Sequence, residues 1–256
     1  MPNSYDLKNK TVVITGSNGQ LGRGLTAALL AQGAFVYVTD IQEEINKELA
    51  TSLQNVGLSN YQYFKMDIAS ETSIREVMKN MAKDIDILIN NAGVSVFTPF
   101  EGRSEAELDW VLNVNLKGTI LCAKNFSRKM IAKKQGKIIN IGSVYGVVPA
   151  DKKIYGDSGR NNSEVYGASK AGVIQLTKYL AAYLGEHNIQ VNAVSPGGIF
   201  NNQKKFFVDN YVAKTPLGRM AEVEDFYGLV CFLASDESNY ITGQNITLDG
   251  GFSLNQ

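Results

Sequence analysis

Short runs of apolar, β-branched residues alternate along the chain with longer amphipathic segments. The runs VVIT, FVYVT and DILIN suit strands that are buried on both faces of a parallel sheet. The pattern predicts strands at 11–15, 34–39, 61–66, 85–89, 137–141, 189–194 and 245–248, and helices at 21–32, 43–56, 70–83, 104–133, 165–186 and 222–234. Such regular alternation predicts an α/β fold, with a parallel sheet of about seven strands and helices on both faces.

No linker or internal repeat divides the sequence, so we expect residues 1–256 to form a single doubly wound domain. Two long irregular stretches interrupt the pattern, at about 147–164 and 199–216. Because loops of this length in a compact domain are usually functional or mobile, both are candidates for contact with a ligand.

Charge and composition narrow the function. The chain has 25 basic and 25 acidic residues, a balance that argues against a partner with a nucleic-acid or membrane surface. A single histidine and two distant cysteines argue against a metal site and against a Ser-His-Asp site. The sequence lacks a long apolar run, and its first ten residues do not resemble a signal peptide, so we expect a cytoplasmic protein.

A glycine-rich turn, Thr15-Gly16-Ser17-Asn18-Gly19-Gln20-Leu21-Gly22, follows the first predicted strand and precedes the first helix. Such a turn lets backbone N–H groups approach a pyrophosphate at a helix N-terminus, as in a Rossmann-type fold. We therefore expect this turn to bind a dinucleotide cofactor, through Gly16, Ser17, Asn18, Gln20 and Leu21.

Polar residues follow the next strands at the same predicted edge of the sheet. Asp40 ends the second strand, where a carboxylate accepts hydrogen bonds from ribose hydroxyls and repels a 2′-phosphate. This position favours NAD over NADP, although Arg23 is a nearby cation. We expect further cofactor contacts from Ile41, Asp67, Ile68, Asn91, Ala92 and Gly93.

Tyr166 and Lys170 lie four residues apart on a predicted helix, so their side chains share one face. An ammonium group beside a phenol favours the phenolate and lowers the phenol pKa. The pair could therefore exchange a proton with an alcohol or a carbonyl.

With these residues in view, the chain resembles the short-chain dehydrogenase/reductase family over nearly its whole length. The resemblance is carried, in the family's order, by the glycine turn, Asn90-Asn91-Ala92-Gly93, Asn113-Val114-Asn115-Leu116-Lys117-Gly118, Ile139-Asn140-Ile141-Gly142-Ser143, Tyr166-Gly167-Ala168-Ser169-Lys170, Val194-Ser195-Pro196-Gly197-Gly198-Ile199 and Leu248-Asp249-Gly250-Gly251. A weaker resemblance, within the family, is to dehydrogenases of bacterial flagellin modification.

The family resemblance implies a role for each member of a tetrad. It implies that Tyr166 is the acid/base, that Lys170 lowers its pKa and binds the nicotinamide ribose, and that Ser143 bonds the substrate oxygen. It implies that Asn115 holds a water linked to Lys170, and that the nicotinamide is bordered by Pro196, Gly197 and Ile199. Asp67 is implied to bind the adenine, and the family's usual assembly implies a homotetramer or homodimer.

Two features depart from the family's pattern. Gln20 occupies the position of the middle glycine, which makes the turn similar also to that of the extended branch, whose members include enzymes of nucleotide sugars. We expect cofactor binding to survive, with Gln20 near the diphosphate. The second departure is the 23-residue separation between Ser143 and Tyr166, about twice the usual one. Tyr155 lies near the usual distance, but Gly159 stands where its lysine should be, so Tyr155 is rejected as the acid/base.

The extra residues place an insertion at about 147–164 beside the expected site, and the 199–216 segment corresponds to the family's substrate lid. Both are rich in amides and charges, which favours a polar, sugar-like small-molecule substrate. We therefore expect an NAD(H)-dependent alcohol/carbonyl oxidoreductase. Three alternatives stay open: an NADP(H)-dependent carbonyl reductase of another substrate class, a sugar-nucleotide epimerase or dehydratase, and a non-catalytic nucleotide sensor.

Overall fold

The computed structural model describes residues 5–255. Residues 1–4, part of the segment in which we expect no signal peptide, and Gln256 lie outside this range. Seven parallel strands form one sheet in the order β3-β2-β1-β4-β5-β6-β7. The strands are β1 (Thr11–Thr15), β2 (Phe35–Asp40), β3 (Tyr61–Lys65), β4 (Ile87–Asn90), β5 (Gly136–Ile141), β6 (Ile189–Pro196) and β7 (Asn245–Leu248).

Helices cover both faces of this sheet. They are α1 (Gln20–Ala31), α2 (Lys47–Asn55), α3 (Glu71–Asn80), α4 (Glu105–Leu112), α5 (Thr119–Lys133), α6 (Glu164–Leu184), α7 (Lys205–Val212) and α8 (Tyr227–Ala234). The predicted α/β, doubly wound, Rossmann-type architecture is thus confirmed. Within residues 5–255, no helix is long and apolar enough to cross a membrane.

Two hydrophobic cores lie on opposite faces of the sheet, because successive side chains of a strand point to opposite sides. Val12 and Ile14 of β1 pack into the core shared with α1, α2 and α8. Val13, between them, packs into the core shared with α3, α5 and α6. The two cysteines are free and lie one in each core, Cys231 in the first and Cys122 in the second. Burial raises the pKa of both thiols, that of Cys231 to about 11.

The prediction of one continuous α-helix at 104–133 is wrong. A π-helical stretch, Asn113–Gly118, separates α4 from α5. Periodicity alone cannot reveal this change, because the buried positions Val111, Asn115 and Thr119 keep a spacing that also fits an α-helix.

The irregular 199–216 stretch contains a helix that the sequence pattern did not predict. Helix α7 has no side-chain N-cap, so the usual start signal is missing. Two pairs of residues four apart hold it instead: Lys205 pairs with Asp209 at 2.7 Å, and the rings of Phe207 and Tyr211 stack at 6.2 Å.

The strand order brings the candidate residues to one edge of the sheet. The order in which the chain adds strands reverses at the pair β1 and β4, with β2 and β3 on one side and β5 to β7 on the other. The carboxyl ends of β1 and β4 border a crevice, where doubly wound sheets bind ligands. The glycine turn follows β1, Asp40 ends β2, and Asn91 follows β4. Ser143 follows β5, and Pro196 ends β6.

Candidate active site

A cavity of about 670 Å³ occupies this crevice. The predicted cofactor residues that line it are Gly16, Asn18, Gln20, Leu21, Asp40, Ile41, Asp67, Ile68, Asn91, Ala92, Gly93, Tyr166, Lys170, Pro196, Gly197 and Ile199. Ser17 does not line it, because its side chain is fully buried behind the turn. Ser143 lines the same cavity, whereas Asn115 lies behind its wall.

The glycine turn is packed so closely that side chains are excluded from it. Gly16 has a φ of +64°, and a Cβ there would lie 2.6 Å from the Ala92 Cα. A Cβ on Gly22 would lie 2.2 Å from the Gly16 carbonyl oxygen. The Asn91 amide donates to the carbonyl oxygens of Thr15 and Gly16, both at 2.9 Å. This close-packed turn lines the cavity with backbone and fits a cofactor diphosphate, which backbone N–H groups at a helix N-terminus can approach.

Asp40 forms the far end of the cavity. One carboxylate oxygen accepts from the Asn18 backbone N–H at 2.9 Å, which ties β2 to the glycine turn. The Asn18 side chain in turn donates to Gln42 and to the Glu44 carbonyl, both at 3.0 Å. Asp40 is therefore held in place while it lines the cavity.

Arg23 does not line the cavity. Its guanidinium donates to the Asn18 carbonyl at 3.2 Å and lies 3.8 Å from Glu48. Of the described residues that line the cavity, Lys170 alone carries a positive charge.

Tyr166 and Ser143 face each other at the other end. The Ser143 hydroxyl donates to the Tyr166 phenolic oxygen, and burial raises the pKa of Tyr166 while this hydrogen bond lowers it in part. The Ser163 hydroxyl accepts from the Tyr166 N–H at 3.2 Å, which caps the helix that carries Tyr166. A buried phenol with a raised pKa is a proton donor at neutral pH.

Lys170 lies beside Tyr166, with its Nζ 5.8 Å from the ring centroid. The Nζ donates to the Ile141 carbonyl at 2.8 Å, and burial lowers the Lys170 pKa to about 8. Since this pKa is still above 7, the ammonium persists at neutral pH and favours a phenolate on Tyr166. The two residues share one face of α6, as their spacing predicts.

Asn115 lies in the π-helical stretch and braces the wall next to Lys170. Its side chain accepts from the Val94 N–H at 2.8 Å, and donates to the Val94 carbonyl at 2.9 Å and to Ser169 at 3.0 Å. A Cβ on Gly93 would lie 3.3 Å from Lys170 Nζ and 3.5 Å from Asn115 Oδ1. The four tetrad residues therefore meet around one wall of the cavity.

Several lining residues were missed by the sequence analysis. They are Gly19, Gly22, Gln42, Met66, Val94, Ser95, Trp110, Val114, Ile141 and Gly142. Most are direct neighbours of predicted residues, so proximity to a motif was the available signal. Ser95 and Trp110 had none, because they reach the cavity from a loop and from α4.

The two irregular stretches pack against each other as one body, which we name the cap (residues 147–164 and 199–216). Asp151 pairs with Lys214 at 2.6 Å, and the rings of Tyr155 and Phe207 lie 5.2 Å apart. The Asn210 side chain donates to the Ile154 carbonyl at 3.5 Å. Tyr155 is buried in this cluster and accepts a hydrogen bond from Tyr145, so the rejected tyrosine is a packing residue of the cap.

Comparison with known proteins supports these geometric observations. A family model described as enoyl-(acyl carrier protein) reductase matches residues 17–253. The chain is 34% identical over 255 residues to a 3-oxoacyl-(acyl-carrier-protein) reductase from Thermotoga maritima, covering 97% of this chain and 99% of the relative. It is 31% identical over 258 residues to an NAD-dependent glycerol dehydrogenase from Listeria innocua, covering 98% and 96%.

Solved structures are also similar to this chain over nearly its whole length. A short-chain dehydrogenase from Leptospira borgpetersenii with bound NAD+ has a TM-score of 0.87 and 41% identity, covering 98% of this chain and 95% of that one. A gluconate 5-dehydrogenase from Burkholderia cenocepacia, in complex with NADP and tartrate, has a TM-score of 0.88 and 30% identity, covering 98% of each chain. The protein belongs to the short-chain dehydrogenase/reductase family, whose members use a nicotinamide cofactor to interconvert alcohols and carbonyls.

Proposed function

We propose that the protein is an NAD(H)-dependent oxidoreductase that interconverts an alcohol and a carbonyl on a small, polar, sugar-like substrate. The observation that carries this proposal is the placement of Ser143, Tyr166 and Lys170 on one wall of a cavity whose far end holds Asp40. A proton-transfer group and a ribose-binding carboxylate thus share a cavity of a size that suits a ligand.

The preference for NAD rests on the charges at the ribose end of the cavity. Asp40 is the acidic group at the ribose end, where a 2′-phosphate would be repelled. Arg23, the cation that could have countered it, is engaged by the Asn18 carbonyl. The Listeria relative is an NAD-dependent dehydrogenase and the Leptospira structure contains NAD+, and both support this preference.

The residues present divide the chemistry among them. A nicotinamide cofactor supplies or accepts the hydride. Tyr166 holds the proton at its phenolic oxygen and gives it to the substrate oxygen in reduction, or takes it in oxidation. Ser143 donates to the same region and orients the substrate oxygen. Lys170 stabilises the phenolate by its charge, and Asn115 positions the wall through Val94 and Ser169.

The preference for a sugar-like substrate rests on polar groups at the substrate end. Ser95 and Ser143 line this end of the cavity, and Asn162 of the cap lies 3.5 Å from the Ser95 hydroxyl. Hydroxyl and amide groups there suit a substrate with several hydroxyls. The glycerol and gluconate named for two relatives have this chemistry. Gln203 and Lys205, two of the polar residues of the 199–216 segment, instead bond within the lid.

A second candidate is an NADP(H)-dependent reductase of an acyl substrate. The names of the Thermotoga relative and of the matching family model favour it, and the Burkholderia structure holds NADP. The two candidates differ in both cofactor and substrate, so one assay separates them.

We also infer that the chain is one domain that assembles as a dimer or tetramer. Exposed apolar side chains on α4, α5 and α6 support an interface between copies, and include Leu112, Ile120, Tyr179 and Tyr183. Large exposed apolar groups of this kind are typical of contact surfaces.

The test combines a substrate panel with two tyrosine variants. Wild-type protein is assayed with NAD+ and NADP+ on glycerol and gluconate, and with NADH and NADPH on a short 3-oxoacyl thioester. We expect turnover with NAD+ on a polyol, and a loss of about 100-fold or more in Tyr166→Phe. The control Tyr155→Phe removes a buried hydroxyl from the cap and should retain turnover. Turnover confined to NADPH and the thioester would instead establish the second candidate.

A further inference from the structure

The first departure from the family's sequence pattern, Gln20, makes a hydrogen bond to the lid. The Gln20 side-chain amide donates to the Phe200 carbonyl at 2.5 Å, across 180 positions of the chain. Gln20 lies on the glycine turn and lines the cavity, while Phe200 lies at the start of the lid. A glycine at position 20 would have no side chain to make this contact.

Contacts within the cap connect the lid to the wall of the cavity that carries Tyr166. Because the Asp151–Lys214 ion pair and the Tyr155–Phe207 ring contact join insertion and lid, a shift of the lid carries the insertion with it. Near the end of the insertion lies Ser163, whose hydroxyl caps the helix of Tyr166. A continuous set of contacts therefore runs from the glycine turn through the cap to the acid/base.

A glutamine side-chain amide can donate hydrogen bonds to two acceptors at once. Its nitrogen carries two N–H donors, of which the Phe200 carbonyl takes one. The second is free to serve an acceptor inside the cavity that Gln20 lines. A phosphate oxygen at the glycine turn is a strong acceptor, and its charge would strengthen such a bond.

We propose that Gln20 is a positioning residue that couples occupation of the cofactor turn to the placement of the cap. In this arrangement the cofactor diphosphate fixes the Gln20 amide, and the amide holds Phe200 and the cap over the substrate end. The inference rests on the proposed function only in requiring that a nicotinamide cofactor binds the glycine turn.

The test measures hydrogen–deuterium exchange of peptides from 147–164 and 199–216, with and without NADH. NADH binding is followed separately through Trp110, the single tryptophan of the chain, which lines the cavity and is 48% exposed. In the wild-type protein we expect NADH to slow exchange in the cap about fivefold, since one hydrogen bond is strengthened.

Three variants separate coupling from binding. Gln20→Met keeps length and helix propensity but has no donor, so it should bind NADH about tenfold more weakly and, at saturating NADH, lose the slowing. Gln20→Lys keeps N–H donors and should retain the slowing. Gln42→Met is the matched control, because Gln42 lines the same cavity and contacts Asn18, not the cap; its cap should still respond.

Each outcome decides between the claims. A cap that responds to NADH as strongly in Gln20→Met as in wild type, or not at all in a folded Gln20→Lys, overturns the coupling. NADH binding with no response of the wild-type cap overturns the coupling but leaves the proposed function intact. If NADH leaves Trp110 fluorescence of the wild-type protein unchanged and is not retained in equilibrium dialysis, the proposed cofactor itself is wrong.

Discussion

The glycine turn and the cap border the same cavity but are built in opposite ways. In the turn, backbone approaches backbone, and Gly16 and Gly22 are required because no Cβ fits. In the cap, side chains make the contacts, through aromatic rings and the Asp151–Lys214 ion pair. The cofactor end therefore tolerates little substitution, whereas the substrate end can change residue by residue.

The two regions should also differ in local stability. The turn is braced by Asn91 and lies between two buried strands. The cap lies outside the sheet, and its ion pair is partly exposed to solvent. Segments held outside the sheet by side-chain contacts open at lower free-energy cost than buried strands, so the cap is the part suited to admit a substrate.

The largest expected effect is at the turn. Gly22→Ala places a Cβ 2.2 Å from the Gly16 carbonyl oxygen, so the turn must distort and NADH affinity should fall by about 100-fold or more. The control is Gly228→Ala in α8, where a Cβ meets nothing within 4 Å. Titration of Trp110 fluorescence with NADH measures both. Near-normal NADH affinity in Gly22→Ala would show that the glycine turn accepts a side chain and is not the more restrictive of the two regions.

A smaller effect is expected from Asp40. Asp40→Ala should weaken NAD+ binding about 10-fold and NADP+ binding less, because it removes the ribose acceptor and the repulsion of a 2′-phosphate together. Asp40→Asn keeps one acceptor oxygen for the Asn18 N–H and tests how much of the effect is charge. Competition of NAD+ and NADP+ against bound NADH measures both affinities. A larger loss of affinity for NADP+ than for NAD+ would overturn the preference for NAD.

The smallest effect is expected in the cap. Asp151→Asn should lower the free energy of unfolding by less than about 1 kcal/mol, since the pair with Lys214 is partly exposed. It should nevertheless raise proteolytic cleavage within 147–164, because the insertion loses a tie to the lid. Lys205→Met is the control, as its exposed pair with Asp209 lies within α7 alone. Equal cleavage in the two variants would show that the ion pair does not hold the cap.

The same contrast explains what could be predicted from the sequence. The strands followed from apolar runs such as Val12–Ile14, because burial on both faces leaves a local signature. Asp40 and the Tyr166–Lys170 pair could be placed because each follows from its position in one element. Helix α7 could not, since it is held by Phe207, Tyr211 and the cap rather than by capping residues.

The remaining gaps also have physical causes. The contact between Gln20 and Phe200 depends on the path of two distant segments, which a local pattern does not record. Ser17 was expected at the cofactor on the strength of its position in the turn, but its side chain points into the protein. Within a tight turn, the direction of each side chain is set by backbone angles that the residue types alone do not specify.

The π-helical stretch at Asn113–Gly118 makes the site sensitive to the insertion or deletion of a residue. A π-bulge amounts to one residue more than an α-helix of the same span would hold. Deleting a single residue there would restore a uniform α-helix between the same ends, and the residues left in the stretch would face other directions. Asn115 would then turn away from Val94 and Ser169. The site thus depends on the number of residues in this stretch as well as on their kinds.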